Sequence, residues 1–267
     1  MSRTRLLIAA VVAAFSVPLA LASPAGAASS THYVALGDSY ASGLGSGSYG
    51  TSGDCYRSSL AFSQLWADAH SPAAFVSVAC SGATSSDVAN TQLSALSAGT
   101  TLVSVVVGGN DVNFAPTLED CVIWGTDTCV SDINADENEA RTVLPGRLDS
   151  LYSAIHADAP NARVVVVGYP RFYDLSVSFC IGLSETSRQK INEGADVLDG
   201  VIQAAAARHG FGFADVRGNF AAGHEICDGG SSWLHSVDWG DLGDSYHPTA
   251  GGQSGGYLPA FTALAGS

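Results

Sequence analysis

His32-Tyr33-Val34-Ala35-Leu36-Gly37-Asp38-Ser39-Tyr40 opens the chemistry-bearing part of this chain. The short apolar run 32–36 reads as a buried strand, and Gly37 begins a tight turn that carries Ser39. A serine just past such a strand lies at the C-terminal edge of a parallel sheet, where open α/β folds place their chemistry. A serine hydroxyl is a weak nucleophile unless a base and oxyanion donors surround it. Three further polar clusters offer them: the turn at Gly82, the run Gly108-Gly109-Asn110-Asp111, and Asp244-Ser245-Tyr246-His247-Pro248.

Outward from that strand the pattern alternates. Residues 59–69 read as a helix, 74–79 (AFVSVA) as a second strand and 101–107 (TLVSVVV) as a third. Residues 141–157 place apolar side chains at 144, 148, 151 and 155, a helical stripe. Residues 163–168 (RVVVVG) read as a fourth strand and 211–216 (FGFADV) as a fifth, separated by a helix over 186–209 that Gly210 stops. A terminal helix is expected over 249–265. Near-continuous apolar strands separated by helices imply a parallel sheet covered on both faces. The expected fold is therefore a three-layer α/β/α sandwich with a central sheet of about five strands, flavodoxin-like in form. Clusters that follow strands one, two and three then share one sheet edge, and with it one site.

The N-terminus reads as a leader. Arg3 and Arg5 precede an apolar stretch over 6–21 broken by Pro18, and Ala25-Gly26-Ala27 fits a cleavage site. This is the pattern of a secretory signal peptide, residues 1–27, and not of a membrane anchor. Residues 28–267 are expected to form one domain, since no linker or repeat divides them. The Gly- and Ser-rich stretch 40–53 reads as a surface loop beside Ser39.

The chain carries 11 Lys and Arg against 25 Asp and Glu, a net charge of −14. That balance argues against nucleic-acid binding and against strong attraction to anionic lipid surfaces. An even cysteine count behind a leader points to disulfides. Cys55, Cys80, Cys121, Cys129, Cys180 and Cys227 permit several pairings, of which sequential pairing is the simplest. Zinc ligation is the competing reading, and no C-x-x-C pair supports it.

Ser39 is the candidate nucleophile and His247 the candidate base. Asp244, three residues earlier, is placed to hold the ring tautomer. His32, His70, His156 and His209 fall in a strand or near helix ends, while His224 and His235 in the loop after strand five remain alternatives. The Asn110 side chain and the Gly82 backbone N–H can donate to a developing oxyanion. Gly252-Gln253-Ser254-Gly255-Gly256 matches the G-x-S-x-G pattern of a nucleophile elbow. No strand precedes it, and too little chain follows to supply an acid and a histidine.

GDSY at 37–40, SGAT at 81–84, GGND at 108–111 and D-x-x-H at 244–247 occur in that order. In this the chain resembles the GDSL, or SGNH, hydrolase superfamily, and especially its secreted Streptomyces-type lipases and esterases. The resemblance implies a carboxylic ester hydrolase. It assigns Ser39 as nucleophile, His247 as base, and the Ser39 N–H, Gly82 N–H and Asn110 as oxyanion hole. It also favours three sequential disulfides. Some related enzymes orient the histidine with a backbone carbonyl in place of a carboxylate at Asp244. No cofactor or metal is implied, the partner is an acyl ester or lipid, and a secreted monomer without integral membrane association is expected. A carbohydrate acetyl esterase is the competing enzyme, and a non-catalytic secreted binding protein the competing class. Loops 41–54, 116–134 and 172–183 are expected to set specificity, with Tyr49, Phe114, Trp124, Phe172 and Tyr173 assigned either to an acyl groove or to the core.

Overall fold

Five short runs rich in Val and Ala pair side by side in parallel. They are β1 (His32–Gly37), β2 (Ala74–Ser77), β3 (Leu102–Val106), β4 (Arg163–Val167) and β5 (Gly212–Ala214), in the order β2-β1-β3-β4-β5. The structure, a computed structural model, describes residues 30–178, 180–240 and 242–266, so the expected leader over 1–27 lies outside the described residues. Val34 pairs with Val76 on one side and Val103 on the other, and Leu36 pairs with Val105. Strands β1, β3 and β4 are buried on both faces, which is why each reads as an unbroken apolar run. Strand β2 is an edge strand, and its Val76 is exposed.

The helices are α1 (Ser39–Ser42), α2 (Phe62–His70), α3 (Ser85–Asp87), α4 (Phe114–Trp124), α5 (Thr126–Thr142), α6 (Leu144–Asp158), α7 (Glu185–Arg208), α8 (Arg217–Phe220) and α9 (Leu258–Ala265). Helices α2 and α9 pack together on one face, where Tyr33 of β1 stacks on Phe261 at 5.5 Å and meets Trp66 edge-on at 5.3 Å. The other face is covered by α6 and α7, joined by α5, with Leu144, Leu148, Leu198 and Ile202 fully buried. This is the expected three-layer sandwich.

One expected loop is helical. Residues 116–134 form most of α4 and the start of α5, clasped by the Cys121–Cys129 disulfide. Pro116 falls in the first turn of α4, where its missing N–H costs nothing. Helix α5 is polar over most of its length, so its inward stripe of Cys129, Ile133, Glu137 and Ala140 stands out weakly. Lys190 of α7 meets the buried Glu137 at 2.7 Å, so part of that stripe is an ion pair. The remaining disulfides are Cys55–Cys80 and Cys180–Cys227, the sequential pairing.

The chain reverses its direction of travel across the sheet between β1 and β3, which makes their C-terminal ends a switch-point crevice. The two strands approach closely there. A Cβ on Gly37, at φ +129°, would sit 2.2 Å from the Val106 carbonyl oxygen, so only glycine fits. Gln92 seals the same turn, accepting from the Gly37 N–H at 2.8 Å and donating to its carbonyl at 2.9 Å.

Candidate active site

Ser39 is the first residue of α1 and is almost fully buried. The preceding Asp38 caps that turn, accepting from the Tyr40 N–H at 2.9 Å. Its other oxygen accepts from the Tyr169 hydroxyl, which in turn accepts from the Gly109 N–H at 3.1 Å. One carboxylate thus ties the end of β1 to the segments after β4 and β3. Burial raises the Asp38 pKa to about 7, against the hydrogen bonds that favour its charged form. Gln253, fully buried, donates to the Tyr40 carbonyl at 3.1 Å and accepts from the Phe62 N–H at 2.9 Å, pinning the same turn from behind.

His247 Nε2 lies 2.7 Å from Ser39 Oγ, and His247 Nδ1 lies 3.1 Å from the Ser245 carbonyl oxygen. A carbonyl only accepts, so Nδ1 carries the proton and Nε2 is left to accept from the serine. Burial lowers the His247 pKa to about 4, with the Ser245 carbonyl pulling the other way. The ring is therefore neutral at pH 7, the state a base needs. The loop that carries it is held by the His235 N–H, which donates to the His247 carbonyl at 3.0 Å, by the Tyr246 N–H, which donates to the His235 carbonyl at 3.1 Å, and by Tyr40, whose hydroxyl donates to the Tyr246 carbonyl at 2.9 Å.

Asp244 departs from its expected place. Its carboxylate accepts from the Tyr49 hydroxyl at 3.4 Å, while its backbone carbonyl accepts from the His247 N–H at 3.1 Å. The ring nitrogen is held by the main chain, because the turn over 244–247 folds its own Ser245 carbonyl under the imidazole before the carboxylate can reach it.

Asn110 begins a 3₁₀ turn after β3 and donates through Nδ2 to the Ala83 carbonyl at 3.1 Å. Asp111 accepts from the Ser85 N–H at 2.8 Å and from its hydroxyl, and Arg147 donates to the Asp111 carbonyl at 2.8 Å. These bonds lock the loop after β3 to the loop after β2. Gly82 sits at φ +78° with nothing near the place of a Cβ, so its backbone faces open space. Among the described residues, neither the Ser39 nor the Gly82 backbone N–H donates to another residue.

Ser39, Gly82, Asn110, Asp244 and His247 all line one cleft of about 340 Å³, together with Tyr49, Leu44, Phe114 and Leu118. Of the aromatic candidates, Tyr49 and Phe114 reach the cleft, Phe172 and Tyr173 are core, and Trp124 is exposed. Ser254 is elsewhere: it sits on a helical turn over 252–257 and donates to the Ala250 carbonyl at 2.9 Å. His224 stacks on Trp233 at 3.5 Å, and His235 is occupied by the Gly45 carbonyl at 2.7 Å. The bracing side chains Asp38, Tyr169, Asp111 and Gln253 were not singled out by the sequence, because their partners lie far along the chain.

The fold and the cleft define the class: an α/β/α hydrolase with a buried serine–histidine pair at the switch point of its sheet. Residues 35–254 match the GDSL-like lipase/acylhydrolase family, and the chain belongs to that family. It is 55% identical over 247 residues to Lipase 1 of Streptomyces coelicolor, covering 92% of this chain and 91% of that one. Its fold is similar to the crystal structure of phospholipase A1 from Streptomyces albidoflavus, with a TM-score of 0.85 and 52% identity, covering 88% of this chain and 99% of that one. The extracellular lipase of Streptomyces rimosus is alike to the same degree, with a TM-score of 0.85 and 49% identity over the same shares of the two chains. The protein is a carboxylic ester hydrolase.

Proposed function

We propose that this is a secreted serine hydrolase of acyl lipids that works through a Ser39–His247 dyad steadied by the main chain. The observation that carries the reading is the 2.7 Å contact between Ser39 Oγ and His247 Nε2, with Nδ1 held by the Ser245 carbonyl. His247 takes the proton as Ser39 Oγ attacks the ester carbonyl carbon. The oxyanion is received by the Ser39 and Gly82 N–H groups and the Asn110 amide. His247 then protonates the leaving alcohol, and water, activated by the same nitrogen, releases the acid and restores the serine. The Ser245 carbonyl supports the imidazolium that forms between these steps.

The substrate class follows from the cleft wall, where Leu44, Phe114 and Leu118 offer an acyl chain apolar contact. The activities for which the relatives are named, lipase and phospholipase A1, support the same class. The leader-like residues 1–27, with 28–267 as a single catalytic domain, and the three disulfides support secretion. Hydrolysis of acetyl, butyryl and decanoyl p-nitrophenyl esters tests the substrate reading. Activity on the butyryl and decanoyl esters is expected, and exclusive hydrolysis of the acetyl ester would move the protein to the carbohydrate esterases.

A further inference from the structure

Beside the catalytic cleft lies a smaller apolar recess lined by Val122, Ile123, Val237, Trp239 and Leu242. It shares Glu119, Leu242, Ser245 and Tyr246 with the cleft, so the two adjoin. Its outer rim is bare. Trp239 is 69% exposed, Ile123 47% and Leu242 40%, and Trp124, the last residue of α4, is 68% exposed. Three large apolar side chains left in water around one mouth, with Trp124 exposed next to Ile123 in the chain, are uncommon on a protein surface and mark an interaction surface. Indole rings favour the boundary between water and acyl chains, where an apolar body and a polar N–H are both satisfied. The Trp124 Nε1–H already donates to Asp120 at 3.1 Å, so its polar edge is settled and its ring face is free to bury.

The charges around this rim select the kind of surface. The segment 114–124 carries Glu119 and Asp120, and the described residues of the segment 237–244 carry Asp238 and Asp244; neither segment contains a lysine or arginine. An anionic membrane would repel this face, and the attraction that basic segments gain there is missing.

We infer that Ile123, Trp124, Trp239 and Leu242 form a docking rim that seats the enzyme on the surface of a neutral or zwitterionic acyl lipid and sets the cleft mouth against it. The proposal rests on the ester-hydrolase reading for its purpose, but the docking is a separate physical event. An acyl chain leaving the lipid surface would pass the rim into the Phe114 and Leu118 wall without crossing water.

The test separates docking from turnover. Binding of the Ser39→Ala protein to phosphatidylcholine vesicles is measured by flotation, with and without Trp239→Ser and Ile123→Ser, and soluble p-nitrophenyl butyrate hydrolysis is measured on the same rim substitutions in the active enzyme. The double substitution is expected to weaken vesicle binding by about tenfold or more, as loss of buried apolar area predicts, and to leave soluble ester hydrolysis unchanged. Phosphatidylglycerol vesicles at low salt are expected to bind less well than phosphatidylcholine. Undiminished binding by the rim variants, or tighter binding to phosphatidylglycerol, overturns the proposal. Failure to hydrolyse the soluble ester would instead strike the hydrolase reading and leave the vesicle result to stand on its own.

Discussion

Ser39 and Ser254 both stand near glycines, and only one of the two is poised for chemistry. Ser39 follows β1 through a glycine that the neighbouring strand forces, and it points its hydroxyl at His247. Ser254 lies in G-Q-S-G-G, closer to a familiar nucleophile pattern, yet its hydroxyl only closes a helical turn. The glycines around Ser254 have a different cause. A Cβ on Gly255 would stand 2.4 Å from the Trp233 ring, and one on Gly256 would stand 2.3 Å from Phe220. They are small so that two aromatic rings can close on the turn. The glycine before Ser39 makes a turn at the end of a strand, whereas those after Ser254 make room. A glycine-serine string therefore acquires catalytic meaning from the strand before it and the base opposite it.

The sharpest way to break this contrast is to remove each hydroxyl. Ser39→Ala is expected to lower kcat on p-nitrophenyl butyrate by about 10⁴-fold or more, and Ser254→Ala to leave it within about twofold, as for a substitution away from any site. Asn110→Ala comes next, with kcat reduced by about 10²–10³-fold while thermal unfolding stays near the wild-type temperature. The pH profile sharpens the claim for His247. Since burial lowers its pKa to about 4, the base stays unprotonated well below the ordinary histidine value of 6.5. The acid limb of kcat/KM on a soluble ester should accordingly fall through a midpoint far below 6.5, and a midpoint at 6.5 would deny the buried environment. On the Ser254 side, Gly256→Ala should destabilise the fold by about 1–3 kcal/mol through the clash with Phe220, read as a lower denaturant midpoint with the catalytic groups intact. Among the groups that line the site, the smallest change is assigned to Asp244→Asn. With Ser245 holding the ring, its kcat should fall by less than about tenfold, whereas a carboxylate-held tautomer would cost about 10⁴-fold.

Much of the fold was legible because β1, β3 and β4 are buried on both faces and so read as unbroken apolar runs. The shared sheet edge of Ser39 and Asn110 followed from that, while Gly82 was placed there by the short apolar run of the edge strand β2. Helices α4 and α5 were hidden because the buried stripe of α5 includes Glu137, whose partner Lys190 lies far along the chain. The bracing of the site was hidden for the same reason. Asp38 meets Tyr169 across 131 residues and Tyr40 meets Gln253 across 213, and no local pattern encodes either pairing. The orientation of His247 eluded sequence because a main-chain carbonyl leaves no mark in the residue types.

Labelling by a fluorophosphonate, followed by peptide mass mapping, tests the dyad most directly. The folded protein should carry one adduct, on Ser39, and His247→Ala should abolish it while leaving the fold intact. An adduct on Ser254, or on Ser39 in undiminished yield without His247, would contradict the account.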